Sequence, residues 1–254
     1  MNKTANRRKE LIETTNHDDG KAFIPEESQR LSVIRGQLAG SAYVETKLPL
    51  VSLFSKKNPL EMTGKVTVLS SHIDTVEAIT EPYWDEEAYM GTIDNGITNH
   101  VCVELMLADL LSDNVIVAFT GDEEISCRGA QMAAEYLREK CPDVKPRYIT
   151  VDVSEYAKDY ENCDVRVEYR NDKKKLAKKI RKKLADATYR IEYGAMAKTY
   201  DETDTYRNYG KAVSVCIPVD EGSFFYHSNT GVGIKPESLA AYSKALADIA
   251  KFLS

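Results

Sequence analysis

Cysteine is sparse in this chain of 254 residues: five are present (Cys102, Cys127, Cys141, Cys163, Cys216), an odd number, scattered and without a C-x-x-C pair. That pattern argues against a disulfide framework and against a cysteine zinc site, and it fits a reducing cytosol. Long apolar runs are also lacking. No stretch approaches the roughly 18 to 20 consecutive apolar residues of a membrane helix, so no membrane partner is expected. Met1 to Glu10 is polar and basic with no apolar stretch behind it, so no secretory leader is expected either. Histidine is scarce, with four in the chain, and Trp occurs once.

The remaining composition is ordinary for a globular protein, 43% hydrophobic and 29% charged, with a formal net charge of −6. Basic residues concentrate in Lys173 to Lys183 (KKKLAKKIRKK). Without its eight Lys/Arg the chain holds 26 basic against 40 acidic residues, or −14. Leu176, Ile180 and Leu184 form one helical stripe within the run, which reads as a surface helix with solvated lysines. No aromatic residues interleave to stack bases, so no nucleic-acid partner is expected.

Four short β-branched runs mark strands: Val66–Ser70, Val115–Phe119, Tyr148–Val153 and Val213–Ile217. They lack strict alternation, as strands covered on both faces do. Helical patterns lie between them, over 97–111, 129–140 and 236–253, and Pro25 to Leu38 reads as another helix. Residues 165–169 and 189–193 read as two further strands flanking the Lys-rich helix. Ser41 to Phe54 is extended. Residues 1–24 read as loosely ordered. The alternation predicts a three-layer α/β/α fold on a mixed, mostly parallel sheet, with all 254 residues in one domain.

Polar residues gather where these runs end. The first leads into Ser71-His72-Ile73-Asp74. The second leads into Gly121-Asp122-Glu123-Glu124, the third holds Asp152, and the fourth is followed past a loop by His227. Asp94-Asn95-Gly96 precedes a helix. In open α/β sheets ligands bind at the carboxyl ends of strands, so these residues would meet in one crevice. Two imidazoles and several carboxylates suit zinc or a similar divalent ion. Crowded carboxylates repel unless protonated or bridged by cations. Two metals would neutralise them and activate water, and a carboxylate left unligated could serve as general base. This reasoning identifies the donor types but does not separate Glu123 from Glu124. His17 and His100 read as structural, and Cys127 as a packed thiol.

In order, His72-x-Asp74, Asp94-Asn95, Glu123-Glu124-x-x-x-Arg128-Gly129-Ala130, Asp152 and Tyr226-His227-Ser228 resemble the motifs of the co-catalytic zinc exopeptidases. These enzymes share a phosphorylase/hydrolase-like fold. Thr203-Asp204 and Ile217-Pro218 look most like the glutamyl and deblocking aminopeptidases among them. The resemblance runs from about Val66 to the C-terminus. Two departures bear on pocket shape: Ser126 stands where the relatives commonly have Gly, and Ile97-Thr98-Asn99 follows Gly96.

The resemblance implies a role at each position. Asp94 would bridge two divalent metals, zinc first, with cobalt or manganese also fitting the donors. His72 and Asp152 would complete one metal site, Glu124 and His227 the other. Glu123 would be the general base acting on the bridging water, and Asp74 would hold the His72 ring by its second nitrogen. The interval from Asp152 to His227 has no room for a dimerisation lid, so a bare catalytic domain is expected. The expected activity is an aminopeptidase acting on short peptides in the cytoplasm, with a homo-oligomer compatible with it. An amidohydrolase or deacylase on an N-acylated small molecule, and a metal-free binding module, are the alternatives.

Overall fold

The apolar runs become neighbouring strands of one eight-stranded sheet in the computed structural model, which describes Arg7 and residues 28–75, 83–84, 89–90, 94–170, 174–196, 200–219 and 234–254. The expectations for residues 1–24 as a segment, for His17 and for Tyr226-His227-Ser228 lie outside the described residues. In chain order the strands are β1 (Val44–Leu48), β2 (Val51–Ser55), β3 (Gly64–His72), β4 (Tyr83–Trp84), β5 (Tyr89–Met90), β6 (Val115–Thr120), β7 (Val144–Ser154), β8 (Val165–Tyr169), β9 (Ile191–Ala195) and β10 (Lys211–Pro218). The helices are α1 (Gln29–Leu38), α2 (Gly96–Leu107), α3 (Glu123–Ser126), α4 (Arg128–Lys140), α5 (Lys175–Lys183), α6 (Glu202–Tyr206) and α7 (Pro236–Leu253). The sheet order is β1-β2-β6-β3-β7-β10-β8-β9, and β4 with β5 forms a separate ribbon. Strands β6, β3, β7 and β10 are mutually parallel at the centre. β2 joins antiparallel at one side and β8 at the other.

Both faces of this centre are covered, which is why its sequence runs are continuously apolar. In β6, Val115, Val117 and Phe119 enter the core formed with α1, α2, α5 and α7. Ile116 and Ala118 point the other way, onto Ala130, Ala133, Ala134 and Leu137 of α4. The Lys-rich helix behaves as its stripe predicts: Leu176, Ala177 and Ile180 are buried, Leu184 is half-buried, and its lysines are exposed. No helix among the described residues is long and apolar enough to cross a membrane.

Strands β3, β7 and β10 extend a few residues beyond the runs read from sequence, β7 starting at Val144, and two further boundaries differ for reasons visible in the contacts. The helix expected over 97–111 ends at Leu107, leaving Ala108 exposed, because Asp109 adopts the left-handed conformation at φ 58° and turns the chain out of the helix. The strand expected over 189–193 pairs instead over Ile191–Ala195. Asp164 accepts the Arg190 backbone N–H at 2.8 Å and binds its guanidinium, while the Arg190 carbonyl accepts the backbone N–H groups of Asp164 and Val165. Pairing therefore begins one residue later, at Val165–Ile191, and Tyr189 turns into the core.

That Asp164–Arg190 contact carries a pH signature. Burial alone would push the Asp164 carboxyl up, but the Arg190 hydrogen bonds and charge outweigh it and hold the group below the ordinary carboxylate range. A depressed carboxylate stabilises the fold above its unfolded value of about 3.9, and loses that contribution as pH falls through the lower folded value. Asp164→Asn is expected to cost about 1 kcal/mol at pH 7, a modest figure because the guanidinium is half exposed and screened. The gap between variant and parent should narrow as pH falls below the unfolded value of about 3.9. Urea unfolding at pH 7 and at acid pH measures it, and a gap independent of pH would refute the linkage.

Candidate metal centre

The parallel strands end together at one edge, and the chemistry-bearing side chains converge there. His72 closes β3 opposite Thr120 at the end of β6, and Asp152 lies near the end of β7. The β3 terminus is tied to α2 by buried hydrogen bonds. Asn99 Nδ2 donates to the His72 carbonyl at 2.8 Å, Ser71 Oγ pairs with Thr98 Oγ1 at 2.9 Å, and Asn95 Nδ2 donates to the Val151 carbonyl at 2.7 Å. These bonds fix the α2 entrance, and with it Asp94, against two strands.

A sharp turn presents the two glutamates. Asp122 and Cys127, with φ of 65° and 53°, bracket the single turn of α3. Ser126 donates from its hydroxyl to Asp122 Oδ2 at 2.8 Å and from its backbone to the Asp122 carbonyl at 3.1 Å, closing the turn. Cys127 is packed as expected, 2% exposed, with its thiol against the Glu123 carbonyl at 3.5 Å. The turn rests on Gly129, whose backbone N–H donates to the Gly121 carbonyl at 3.1 Å.

His72 is buried at the centre of the cluster. Its Nε2 lies 2.8 Å from Asp94 Oδ1 and 3.7 Å from Asp152 Oδ1. Its Nδ1 lies 3.2 Å from the Asp74 carbonyl oxygen and 3.6 Å from the Asp74 carboxylate. The second ring nitrogen thus faces Asp74 through main chain and side chain together. The other Asp74 oxygen, Oδ2, accepts the backbone N–H of Glu124 at 3.2 Å, so Asp74 links the histidine to the glutamate turn.

These residues fit a metal. Donor atoms of His72, Asp94 and Asp152 lie within 4.8 Å of one another, and so do those of His72, Glu123 and Glu124. Two ligands each about 2.1 Å from one ion stand no more than about 4.2 Å apart, a limit that both His72 distances satisfy. The electrostatics agree. Burial, then neighbouring acids, push Glu123 well above the carboxylate range and Glu124 up to about 9. Burial and Asp94 raise Asp152 as well. Burial would lower the His72 imidazolium, but Asp94, Asp152 and Asp74 hold it well above its usual value. So many buried acids around one imidazole call for cations, and nitrogen plus carboxylate oxygen suits zinc or a comparable divalent ion.

Five of the six sequence-predicted residues other than Asp74 are thereby placed or located: His72, Asp94, Glu123, Glu124 and Asp152 come together, while His227 lies outside the described residues. Of the tyrosines near the motifs, Tyr200 lines the cavity, but Tyr206 is stacked on Tyr148 at 4.2 Å and Tyr209 bonds Glu135 at the outer face of α4. Thr203 anchors α6 to Thr150 of β7 at 2.8 Å, and Asp204 is held by Arg170 and Arg207.

Among the charged residues that escaped the sequence reading are Arg30 and Glu202. Arg30 of α1 is fully buried and donates to the Ile73 carbonyl at 3.2 Å, between His72 and Asp74. Burial lowers it to about 10, against the opposing pull of Asp94, Asp74 and Glu124. Its place on the stripe Arg30, Ile34, Leu38 was the available signal. Glu202 is fully buried beneath the cluster, accepting from Ser70 Oγ at 2.8 Å, and burial pushes it up to about 7. Nothing in its polar sequence surroundings marks it.

The profile of peptidase family M28 matches residues 51–248. Among solved structures, a TET aminopeptidase from a marine sediment archaeon of the Thaumarchaeota is similar, with a TM-score of 0.70 at 11% identity over 100% of this chain and 98% of that one. The TET1 peptidase of Pyrococcus horikoshii gives 0.67 at 12% identity over 97% and 99%. The aminopeptidase PepT of Bacillus cereus gives 0.67 at 10% identity over 98% and 98%. At these identities the likeness is one of fold. No curated protein sequence matches the chain.

Proposed function

The chain belongs to peptidase family M28, and from that premise we propose that it is a two-metal zinc aminopeptidase removing single residues from the amino terminus of short peptides. The observation that carries this reading is the convergence of His72, Asp94, Glu123, Glu124 and Asp152 on one cavity of about 280 Å³ at the carboxyl edge of the sheet. The solved structures of similar fold include aminopeptidases, which supports the exopeptidase direction. In this reading His72 and Asp152 would hold one divalent ion, Glu124 and His227 the other, with Asp94 shared between the two sets. Bound divalent ions supply positive charge that polarises the scissile carbonyl. Glu123 takes the proton of the attacking water and returns it to the departing amine nitrogen. Asp74 keeps the His72 ring in place. The chain acts as one catalytic domain.

The five cysteines are all free and buried, which supports a reducing, cytoplasmic setting. The TET1 peptidase of Pyrococcus horikoshii can assemble into a tetrahedron or a large octahedral shell, which supports self-assembly here too.

The test incubates the zinc-loaded protein, and a chelated control, with a mixture of free-amine and N-acetylated peptides, read by mass spectrometry. Stepwise loss of N-terminal residues from the free peptides alone, abolished by the chelator, is the expected result. Cleavage confined to the acetylated set would replace the aminopeptidase with a deacylase. Equal cleavage with and without chelator would refute metal dependence.

A further inference from the structure

The cavity is lined by more than the metal ligands. Val153, Met196 and Tyr200 line it together with Glu168 and Asp201. No lysine or arginine lines it among the described residues. Glu168 is 5% exposed, on β8. Its Oε1 accepts from Ser154 Oγ at 2.6 Å and from Arg166 Nε at 3.1 Å. Its Oε2 has no hydrogen-bond partner among the described residues, on a side chain that lines the cavity. A carboxylate oxygen with spare acceptor capacity on a cavity wall can receive a donor. Arg166 pairs with both Glu168 and Glu192, so one cation faces two acids and the group keeps a net negative charge. Asp201 is half-buried and uses one oxygen to accept the Asp204 backbone N–H at 3.2 Å, at the start of α6.

The spacing suits a long side chain. Register places Asp152 beside Cys216 of β10, and Glu168 beside Ser214 of the same strand. Glu168 therefore stands two strand spacings across the sheet, about 10 Å, and two residues along the strand from the metal ligand. All these positions share the sheet face of His72, since they alternate in step with it. A lysine or arginine side chain has an apolar stem and a charged head, which matches apolar walls leading to acids. We infer that the cavity selects peptides whose N-terminal residue is lysine or arginine, with Glu168 and Asp201 receiving the cationic head. This rests on the aminopeptidase reading and names its substrate class.

The experiment compares kcat/KM of the zinc-loaded enzyme on N-terminal lysine, arginine, norleucine and leucine anilides. Norleucine keeps the lysine stem and lacks its ammonium. Lysine is expected to exceed norleucine by about tenfold or more, the discrimination one well-placed charged hydrogen bond supplies. Glu168→Gln should bring that ratio below about threefold. Calorimetry of lysinamide against norleucinamide binding to the parent protein gives the same comparison without turnover, and so stands even where the variant fails to fold. Norleucine turned over or bound as well as lysine would overturn the inference, as would an unchanged ratio in folded Glu168→Gln. Preferential binding of lysinamide with no turnover of any anilide would support the inference and sink the aminopeptidase reading instead.

Discussion

Glu123→Gln is expected to lower kcat by about 10² to 10⁴-fold, the range over which a positioned general base acts, while the protein keeps its metal. The amide has nearly the shape of the carboxylate, so the α3 turn and its Cys127 contact can persist, but it cannot accept a proton. Glu123 and Glu124 both place an oxygen within 4.8 Å of His72 donor atoms, so geometry alone leaves either able to be ligand or base. The paired variant separates them. Glu124→Gln should lose both activity and bound metal, since a ligand is removed. Metal content by plasma mass spectrometry, beside kcat, reads both proteins. Full activity in Glu123→Gln would remove it from the chemistry. Loss of metal from Glu123→Gln with retention in Glu124→Gln would exchange the two roles.

The second large effect is on the backbone. A Cβ at Gly129 would lie 2.5 Å from the Gly121 carbonyl oxygen, 2.7 Å from the Gly121 nitrogen and 2.7 Å from the Leu50 carbonyl oxygen. All three are main-chain atoms. Gly121 ends the path out of β6, and its N–H is itself bound to the Leu50 carbonyl at 2.9 Å. No side-chain rotation relieves such an overlap, so α4 or the end of the sheet must move. Gly129→Ala is expected to cost about 3 kcal/mol or more, at or above the upper end of ordinary overpacking, and to lower activity because the displaced turn carries both glutamates. Gly36→Ala on α1 is the control. Nothing lies within 4 Å of its added Cβ, and the position is exposed. There the exchange should stabilise by about 0.5 to 1 kcal/mol. Urea midpoints of the two variants measure the contrast. Equal midpoints would show that the close approach at Gly129 relaxes freely.

The central strands and the carboxyl-edge cluster were readable because each is a local pattern. A short β-branched run followed by a polar residue says where the strand stops and which side chain it delivers. The resemblance then ordered His72, Asp94, the glutamate pair and Asp152 into one set. Other features depend on contacts between distant segments. The shifted start of β9 follows from Asp164 capturing Arg190 across the strand pair, 26 residues away. Glu202 sits in a sequence that reads as exposed, and its burial is decided by Ser70, 132 residues distant. Arg30 lies on an apolar helical stripe where arginine is ordinarily misplaced, and the carbonyl it serves belongs to the end of β3. Such partners are set by topology, and a local pattern contains no topology.

The two ends of the cavity are held by different means. At the metal end, Asn95, Thr98 and Asn99 lock the start of α2 to β3 and β7 through short buried bonds, several of them to main chain. Around Glu168 the ties run side chain to side chain: Glu168–Arg166–Glu192 form one set, and Arg170–Asp204 a second. Side-chain pairs can be exchanged for others without moving a strand, whereas the main-chain bonds cannot. The molecule is thus divided into a part that heredity must leave alone and a part it can rewrite, and new substrate preferences can be engrafted on the second while the hydrolytic machinery of the first is inherited intact.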